Sequence, residues 1–250
     1  MTVVIVMPTY NEAACIGDMI SVLLERVFPE ITRAKMHLLI VDDDSPDRTG
    51  DVVRAMALRY PCLHLLTGTR RGLGWAYVRG MKYAMEVLHA DAVMEMDADF
   101  QHDPAYVPHM VEKLLAGADY VIGSRYTVGG SVPASWLRYR KFLSFWGNRA
   151  FRYLLNERRI HDYTTGFRLT RVKGVLDQIV LENVPALERF AFKIDLLCRT
   201  LNYACRIEEI PIHFQERRAG TTKFSLRELV ATGRVFCRLL GRNFLRIWSP

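Results

Sequence analysis

Ala92-Val93-Met94-Glu95-Met96-Asp97-Ala98-Asp99-Phe100-Gln101-His102 is an apolar run that closes on two aspartates. Its first five residues, Ala92–Met96, read as a buried strand. Alternate residues of a strand point to opposite faces, so Asp97 and Asp99 converge only if the strand ends there and the chain turns. A hard divalent cation takes oxygen ligands and sits well between one or two carboxylates and substrate phosphates. Two acids past the carboxyl end of a strand therefore suggest a metal–diphosphate site. Asp-x-Asp also arises in surface turns, and it is the neighbouring segments that give this one weight.

Outward from that strand, short apolar runs alternate with helical patterns. Val3–Met7 reads as a strand and Ala13–Arg26 as a helix. Strand His37–Val41, helix Asp47–Arg59, strand Leu63–Thr67 and helix Gly74–Leu88 follow. Strands alternating with helices of this length imply right-handed βαβ units, hence an α/β fold with a mostly parallel central sheet flanked by helices. Ligands of such sheets bind beyond the carboxyl ends of the strands. The polar clusters fall there: Pro8-Thr9-Tyr10-Asn11-Glu12, Asp42-Asp43-Asp44-Ser45, Arg70-Arg71-Gly72-Leu73-Gly74 and Asp97-Ala98-Asp99 each follow a strand. Further on, strand Tyr120–Gly123 ends at Ser124-Arg125-Tyr126, and Leu137–Leu155 reads as a helix. A polar turn then runs from Asp162 to Arg168. Arg206–His213 reads as a strand, and Leu226–Ile247 as a long C-terminal helix.

A formal net charge of +7 favours anionic partners: nucleotide phosphates, nucleic acid or an acidic membrane surface. No recognised nucleic-acid module accompanies it. The five cysteines are scattered and none has C-x-x-C spacing, which argues against a zinc site or a disulfide framework and for buried free thiols in a reducing compartment. Met1–Pro8 lacks the basic lead of a secretory signal, and no apolar segment nears the roughly 20 residues that cross a bilayer. A soluble or peripheral chain is expected.

Each motif has a chemistry and a bland alternative. Pro8 and Tyr10 can wall a planar base, and Glu12 can accept hydrogen bonds; Asn11-Glu12 also suits a helix start. Asp43 is the candidate for a nucleotide and Asp47 for a helix cap. Arg70–Gly74 is neither a G-x-G-x-x-G fingerprint nor a P-loop. Gln101 offers a carbonyl oxygen to a metal or sugar, while His102 fits a surface turn. Arg125 can clamp a phosphate bidentately. Arg140 and Ser144, four apart, share a helix face and can join it on an acceptor phosphate, or simply be helix surface. Arg217 and Lys223 flank Gly220 in Arg-x-x-Gly-x-x-Lys, a loop that can fold over a diphosphate or stay solvated. On the last helix Arg227, Arg234, Arg238, Arg242 and Arg246 lie opposite Leu229, Phe236, Leu240, Phe244 and Ile247. Such a helix lies in a membrane interface or packs its apolar side on the core.

Taken together, Pro8–Glu12, Val41-Asp42-Asp43-Asp44-Ser45-Pro46-Asp47, Gly72–Gly74, Asp97–Gln101, Gly123–Tyr126, Thr165-Gly166-Phe167-Arg168 and Arg217-x-x-Gly220-x-x-Lys223 resemble a family-2 glycosyltransferase of the GT-A fold, specifically the dolichyl-phosphate (polyprenyl-phosphate) mannose synthase group. The resemblance runs in order from about residue 3 to 225. It implies a GT-A catalytic domain over 1–224 and an amphipathic, membrane-interfacial helix over 225–250. It implies inverting transfer of mannose from GDP-mannose to a polyprenyl monophosphate. Pro8, Tyr10, Glu12, Val41, Asp43 and Ala98 would hold the nucleotide. Asp97, Asp99 and Gln101 would hold Mg²⁺ or Mn²⁺, and Arg217 and Lys223 would close over the diphosphate. Arg125, Arg140 and Ser144 would receive the lipid phosphate. The place implied is the cytoplasmic face of the cytoplasmic membrane, alone or through a membrane-anchoring subunit. The alternatives are a glucosyl synthase using UDP-glucose, or a transferase with a saccharide acceptor and Glu188 or Asp195 as base. Arg48 departs from the pattern by standing where the group usually has glycine, which bears on the helix start after Ser45-Pro46-Asp47.

Overall fold

Thr2–Thr9 (β1) is so rich in branched aliphatics that both its faces demand cover, and Val3 through Met7 are all fully buried. It is an interior strand of one sheet. The computed structural model describes residues 1–217 and 226–247. Lys35–Asp42 (β2), Leu63–Thr67 (β3), Ala92–Glu95 (β4), Tyr120–Ser124 (β5), Arg168–Arg171 (β6) and Ile207–Pro211 (β7) complete a seven-stranded sheet in the order β3-β2-β1-β4-β6-β5-β7. β3, β2, β1 and β4 run parallel, β6 is antiparallel to both its neighbours, and β7 is parallel to β5. The architecture is the expected mostly parallel, GT-A-like α/β sheet.

Helices cover both faces. Ala13–Ser21 (α1) continues through a π-helical stretch, Val22–Val27, into the single turn Phe28–Glu30 (α2), so the expected helix Ala13–Arg26 is one rod with a widened middle. With Val107–Leu115 (α5), α1 packs on Val3, Ile5 and Met7. Leu73–Glu86 (α4) packs on Val4, Val6 and Val41 from the other side. The approach is close at Gly80, where a Cβ would lie 2.4 Å from Val6 and 2.8 Å from Val41. Val41 thus spends its side chain on the core, so any contact with a nucleotide would fall to its backbone. Arg138–Leu155 (α6), Phe192–Thr200 (α7) and Leu226–Ile247 (α8) share a third cluster through Phe151, Ile194, Leu197, Val235 and Leu239.

The C-terminal helix accordingly uses Val235 and Leu239 against the core, while Leu240 is half exposed and Arg238 ion-pairs with the buried Asp195. The described part of α8 packs its apolar side on the core and leaves Arg227 and Arg234 exposed, which is the second of the two readings the sequence offered. The side chains of Leu229, Arg242, Phe244, Arg246 and Ile247 lie outside the described set. No described helix is long and apolar enough to cross a membrane. Of the cysteines only Cys15 is buried; Cys205 and Cys237 are exposed, against the expectation of buried thiols throughout.

Arg48 precedes Thr49–Ala57 (α3) with φ +67°, the left-handed region where a Cβ is strained. Glycine would relax this turn at a cost of roughly 1–2 kcal/mol of steric strain removed against about 1 kcal/mol of chain entropy added. The exposed Arg48–Asp51 pair adds little to offset it. Arg48→Gly is expected to be neutral or to stabilise by up to about 1 kcal/mol in urea unfolding, and a clear loss would show that the turn is not strained.

Candidate active site

Because β3, β2, β1 and β4 are parallel neighbours, the four polar motifs that follow them open onto one cleft of about 550 Å³. Pro8, Tyr10, Glu12, Asp43, Asp97, Ala98, Asp99, Gln101, Arg125, Arg140, Ser144 and Arg217 all line it. Val41 does not, and Lys223 and Gly220 lie outside the described residues.

The three adjacent acids after β2 divide their labour. Asp42 is tied down by Thr9 Oγ1 at 3.0 Å and by the amide and hydroxyl of Ser45. Asp47 stands one residue before the N-cap of α3, which is Arg48; its carboxylate accepts from the Thr49 amide and also receives the Ala13 amide at the start of α1. Asp43 faces the cleft with Arg79 Nη2 2.6 Å away; burial raises its pKa and the guanidinium opposes that rise. Tyr10 carries the Arg70 guanidinium 3.7 Å from its ring centre, so one ring face is already shown to stack a flat cation.

Asp97 and Asp99 lie beyond the last residue of β4, as the turn argument requires. Asp99 is buried and accepts the Gln101 amide at 3.0 Å. Arg217 places Nη2 2.7 Å from Asp99 Oδ2 and Nη1 3.8 Å from Glu12 Oε1. Burial, and then the charge of Asp97, push the Asp99 pKa up to about 6 in spite of Arg217. Among the described residues no three His, Cys, Asp or Glu side chains form a cation site by themselves. A divalent ion would take Asp97 and Asp99, with the Gln101 side chain within the same cleft, and fill its remaining positions with ligand oxygens, as Mg²⁺-type ions do. The acid pair fits such an ion: one carboxylate already attracts a cation from within the chain. Since the proton and the metal compete for Asp99, Mn²⁺ affinity of the nucleotide-free protein is expected to be flat above about pH 7 and to fall about tenfold per unit below pH 6. Calorimetric titration across pH 5–8 checks this, and a flat profile would exclude Asp99 as a ligand.

The acceptor side differs from expectation in one respect. Arg125 is buried and spends Nε and Nη2 on a bidentate pair with Asp162 at 2.7 Å each, with Thr164 Oγ1 a further 2.7 Å partner. It therefore cannot present the free guanidinium fork that a bidentate phosphate clamp needs. Ser144 accepts from the Tyr126 hydroxyl at 2.6 Å, and Arg140 lies 3.7 Å over the Trp136 ring. Arg125, Arg140 and Ser144 all line the cleft, with Arg125 held by Asp162 and Thr164, Arg140 resting on Trp136 and Ser144 bonded to Tyr126.

Four residues beneath the site escape sequence reasoning. Tyr77 donates to Asp97 Oδ1 at 3.2 Å. Lys193, fully buried, pairs with Glu95 at 2.6 Å and sits 3.6 Å from the Tyr77 ring centre. His102 is not a surface residue: it is 1% exposed, stacked on Phe167, and its Nδ1 accepts the Asp97 amide. Burial lowers its pKa to about 4, which keeps that nitrogen an acceptor. Asp162 and His102 carried a signal in their motifs; Tyr77 and Lys193, inside helices, carried none. Of the two acids considered as bases, Asp195 is buried against Arg238 outside the cleft, whereas Glu188 lines it.

The profile of the family described as "Glycosyl transferase family 2" matches residues 4–177. A "Polyprenol monophosphomannose synthase" of Mycolicibacterium smegmatis is 37% identical over 223 residues, 88% of this chain and 80% of that protein. An "Undecaprenyl-phosphate mannosyltransferase" of Micrococcus luteus is 36% identical over 226 residues, 90% of this chain and 88% of that one. Among solved structures, glucosyl-3-phosphoglycerate synthase from Mycobacterium tuberculosis, in complex with Mn²⁺, UDP-glucose and glycerol 3-phosphate, superposes with a TM-score of 0.60 at 21% identity. That match covers 96% of this chain and 78% of the other, and it shows a shared fold.

Proposed function

The chain belongs to glycosyl transferase family 2, and within it we propose that the protein transfers mannose from GDP-mannose to a polyprenyl monophosphate, with inversion, releasing GDP. The observation that carries this reading is the composition of the part of the cleft lining that α6 supplies. There Arg140 and Ser144 face inward from α6, which also presents Phe142, Phe145 and Trp146 outward to solvent. A helix with a cationic inner face and an exposed aromatic outer face suits an acceptor that is phosphate at one end and hydrocarbon at the other. The names of the two relatives support mannose and a polyprenyl phosphate.

The chemistry asks little of a base. A phosphate monoester is an anion at neutral pH and attacks without losing a proton first. Pro8, Tyr10 and Asp43 hold the nucleoside portion, and Arg140 and Ser144 orient the acceptor oxygen for in-line attack on the anomeric carbon. Asp97 and Asp99 would hold Mg²⁺ or Mn²⁺, which when bound neutralises charge on the leaving diphosphate. Arg217, and Lys223 from the neighbouring loop, would add to that neutralisation. The exposed Phe142, Phe145 and Trp146 make α6 a membrane contact on this reading, beside the α8 helix that the sequence offered.

Radiolabelled mannose from GDP-mannose should pass to citronellyl phosphate in the presence of Mn²⁺ and not in EDTA. UDP-glucose as the better donor would assign the glucosyl alternative. A free saccharide as the better acceptor would bring Glu188 forward as base.

A further inference from the structure

Beside α6, and adjoining the main cleft through the Tyr126–Ser144 hydrogen bond, Tyr126, Phe145, Asn148, Arg149, Arg152 and His161 surround a notch of about 30 Å³ that shares no lining residue with that cleft. We propose that this notch binds the phosphate of an anionic phospholipid while the lipid's apolar part lies along the outer face of α6. The inference deepens the lipid-acceptor reading and rests on it, but it concerns a second lipid at a second place.

Three observations converge. The lining is basic: α6 carries Arg138, Arg140, Lys141, Arg149 and Arg152 with no carboxylate, and no carboxylate lines the notch, Glu209 standing behind His161 as its partner. Arg149 and Arg152 are three residues apart and so project from neighbouring positions on one flank. Their surroundings are already arranged. Arg152 Nη2 is anchored on the Arg158 carbonyl at 2.7 Å, Arg149 lies 5.7 Å from the Phe145 ring centre, and His161 is fixed through Nδ1 to Glu209 at 2.7 Å. Asn148 is committed to Ser144, Thr164 and the Tyr163 amide, which makes it floor rather than ligand.

The second observation is size. A space of this volume is on the order of one water. It admits the leading oxygens of a phosphate and nothing more, so the rest of any ligand must lie outside, on the adjoining surface.

That surface is the third observation. Phe142, Phe145 and Trp146 are 61%, 41% and 53% exposed and pack on one another with ring centres 5.6–6.0 Å apart. An exposed aromatic cluster of this kind marks an interaction surface. With a basic notch at its edge, the matching occupant has an anionic phosphate head and a hydrocarbon body.

The test separates a site from diffuse attraction by using a monomeric lipid. Dihexanoyl-phosphatidylglycerol, below its micelle concentration, is titrated calorimetrically into the full chain with the main cleft filled by GDP, Mn²⁺ and citronellyl phosphate. One saturable site is expected. The double variant Arg149→Gln/Arg152→Gln should weaken it at least about tenfold by removing two charge-assisted contacts. The equally charge-reduced Arg138→Gln/Lys141→Gln should weaken it less than about threefold, and circular dichroism confirms both are folded. The proposal is overturned by no saturable binding, by equal loss in both double variants, or by equal affinity for dihexanoyl-phosphatidylcholine. Inorganic phosphate binding as tightly as the lipid would also overturn it, as a free-anion site. Mannosyl transfer to citronellyl phosphate is measured on the same preparations. Intact transfer with no lipid binding sinks this inference alone, and lipid binding without transfer sinks the acceptor reading.

Discussion

Asp99→Asn should lower kcat for mannosyl transfer by about 10²–10³-fold, the loss typical when one preorganised charge-stabilising group is removed. The substitution keeps the shape of the side chain and the Gln101 amide contact, but it removes the charge that draws in both a divalent ion and the Arg217 guanidinium. Two further readouts separate a ligand from a structural residue. Mn²⁺ binding, followed by the free-ion paramagnetic resonance signal, should weaken in parallel with kcat. Thermal stability should hold within about 2 °C, since the buried carboxylate is itself disfavoured as an anion, its pKa lying near 6. Full activity in Asp99→Asn would remove the acid pair from the mechanism altogether.

The largest stability effect is expected one layer below. Lys193 and Glu95 are both within the core, 2.6 Å apart, with Lys193 also donating to the Gly166 carbonyl. Lys193→Met leaves a buried carboxylate without its cation, and Glu95→Met leaves a buried ammonium. Either should cost about 3–5 kcal/mol and lower Tm by roughly 10 °C. The double variant Glu95→Met/Lys193→Met should recover most of that loss, because a buried ion pair barely repays its own desolvation. A double variant as unstable as the two losses added would mean the charges act separately. The pair has a positional use too: Lys193 lies against the ring of Tyr77, whose hydroxyl holds Asp97. Mn²⁺ affinity in the double variant measures how much of that support survives.

The contrast between these two sites shows what a sequence carries. Asp99 was legible because a strand announces its own end: the period of the apolar run changes, the acids follow, and the topology rule says which edge of the sheet they occupy. The same logic placed Pro8–Glu12, Asp43 and Arg70–Gly74 correctly, and it recovered β3 and α8 to the residue. It failed at β6, Arg168–Arg171, which has an arginine at each end. Arg168 is nonetheless fully buried, because its guanidinium is met by the carbonyls of Lys193 and Tyr163. It failed in the same way at Arg125, whose partner Asp162 arrives from 37 residues away.

By itself, then, the sequence determined the parallel half of the sheet, the strand ends that carry the cleft, and the place of the acid pair within it. Those follow from local periodicity and local termination, which neighbouring residues settle among themselves. Only the tertiary structure decided that Arg125 is spent on Asp162, that Val41 faces α4, and that α6 displays an exposed aromatic cluster. It alone set Lys193 beneath the site. A buried charge must find a partner and an apolar side chain must find cover, and both are supplied by elements far away in the chain. No spacing along the sequence encodes which of them will arrive.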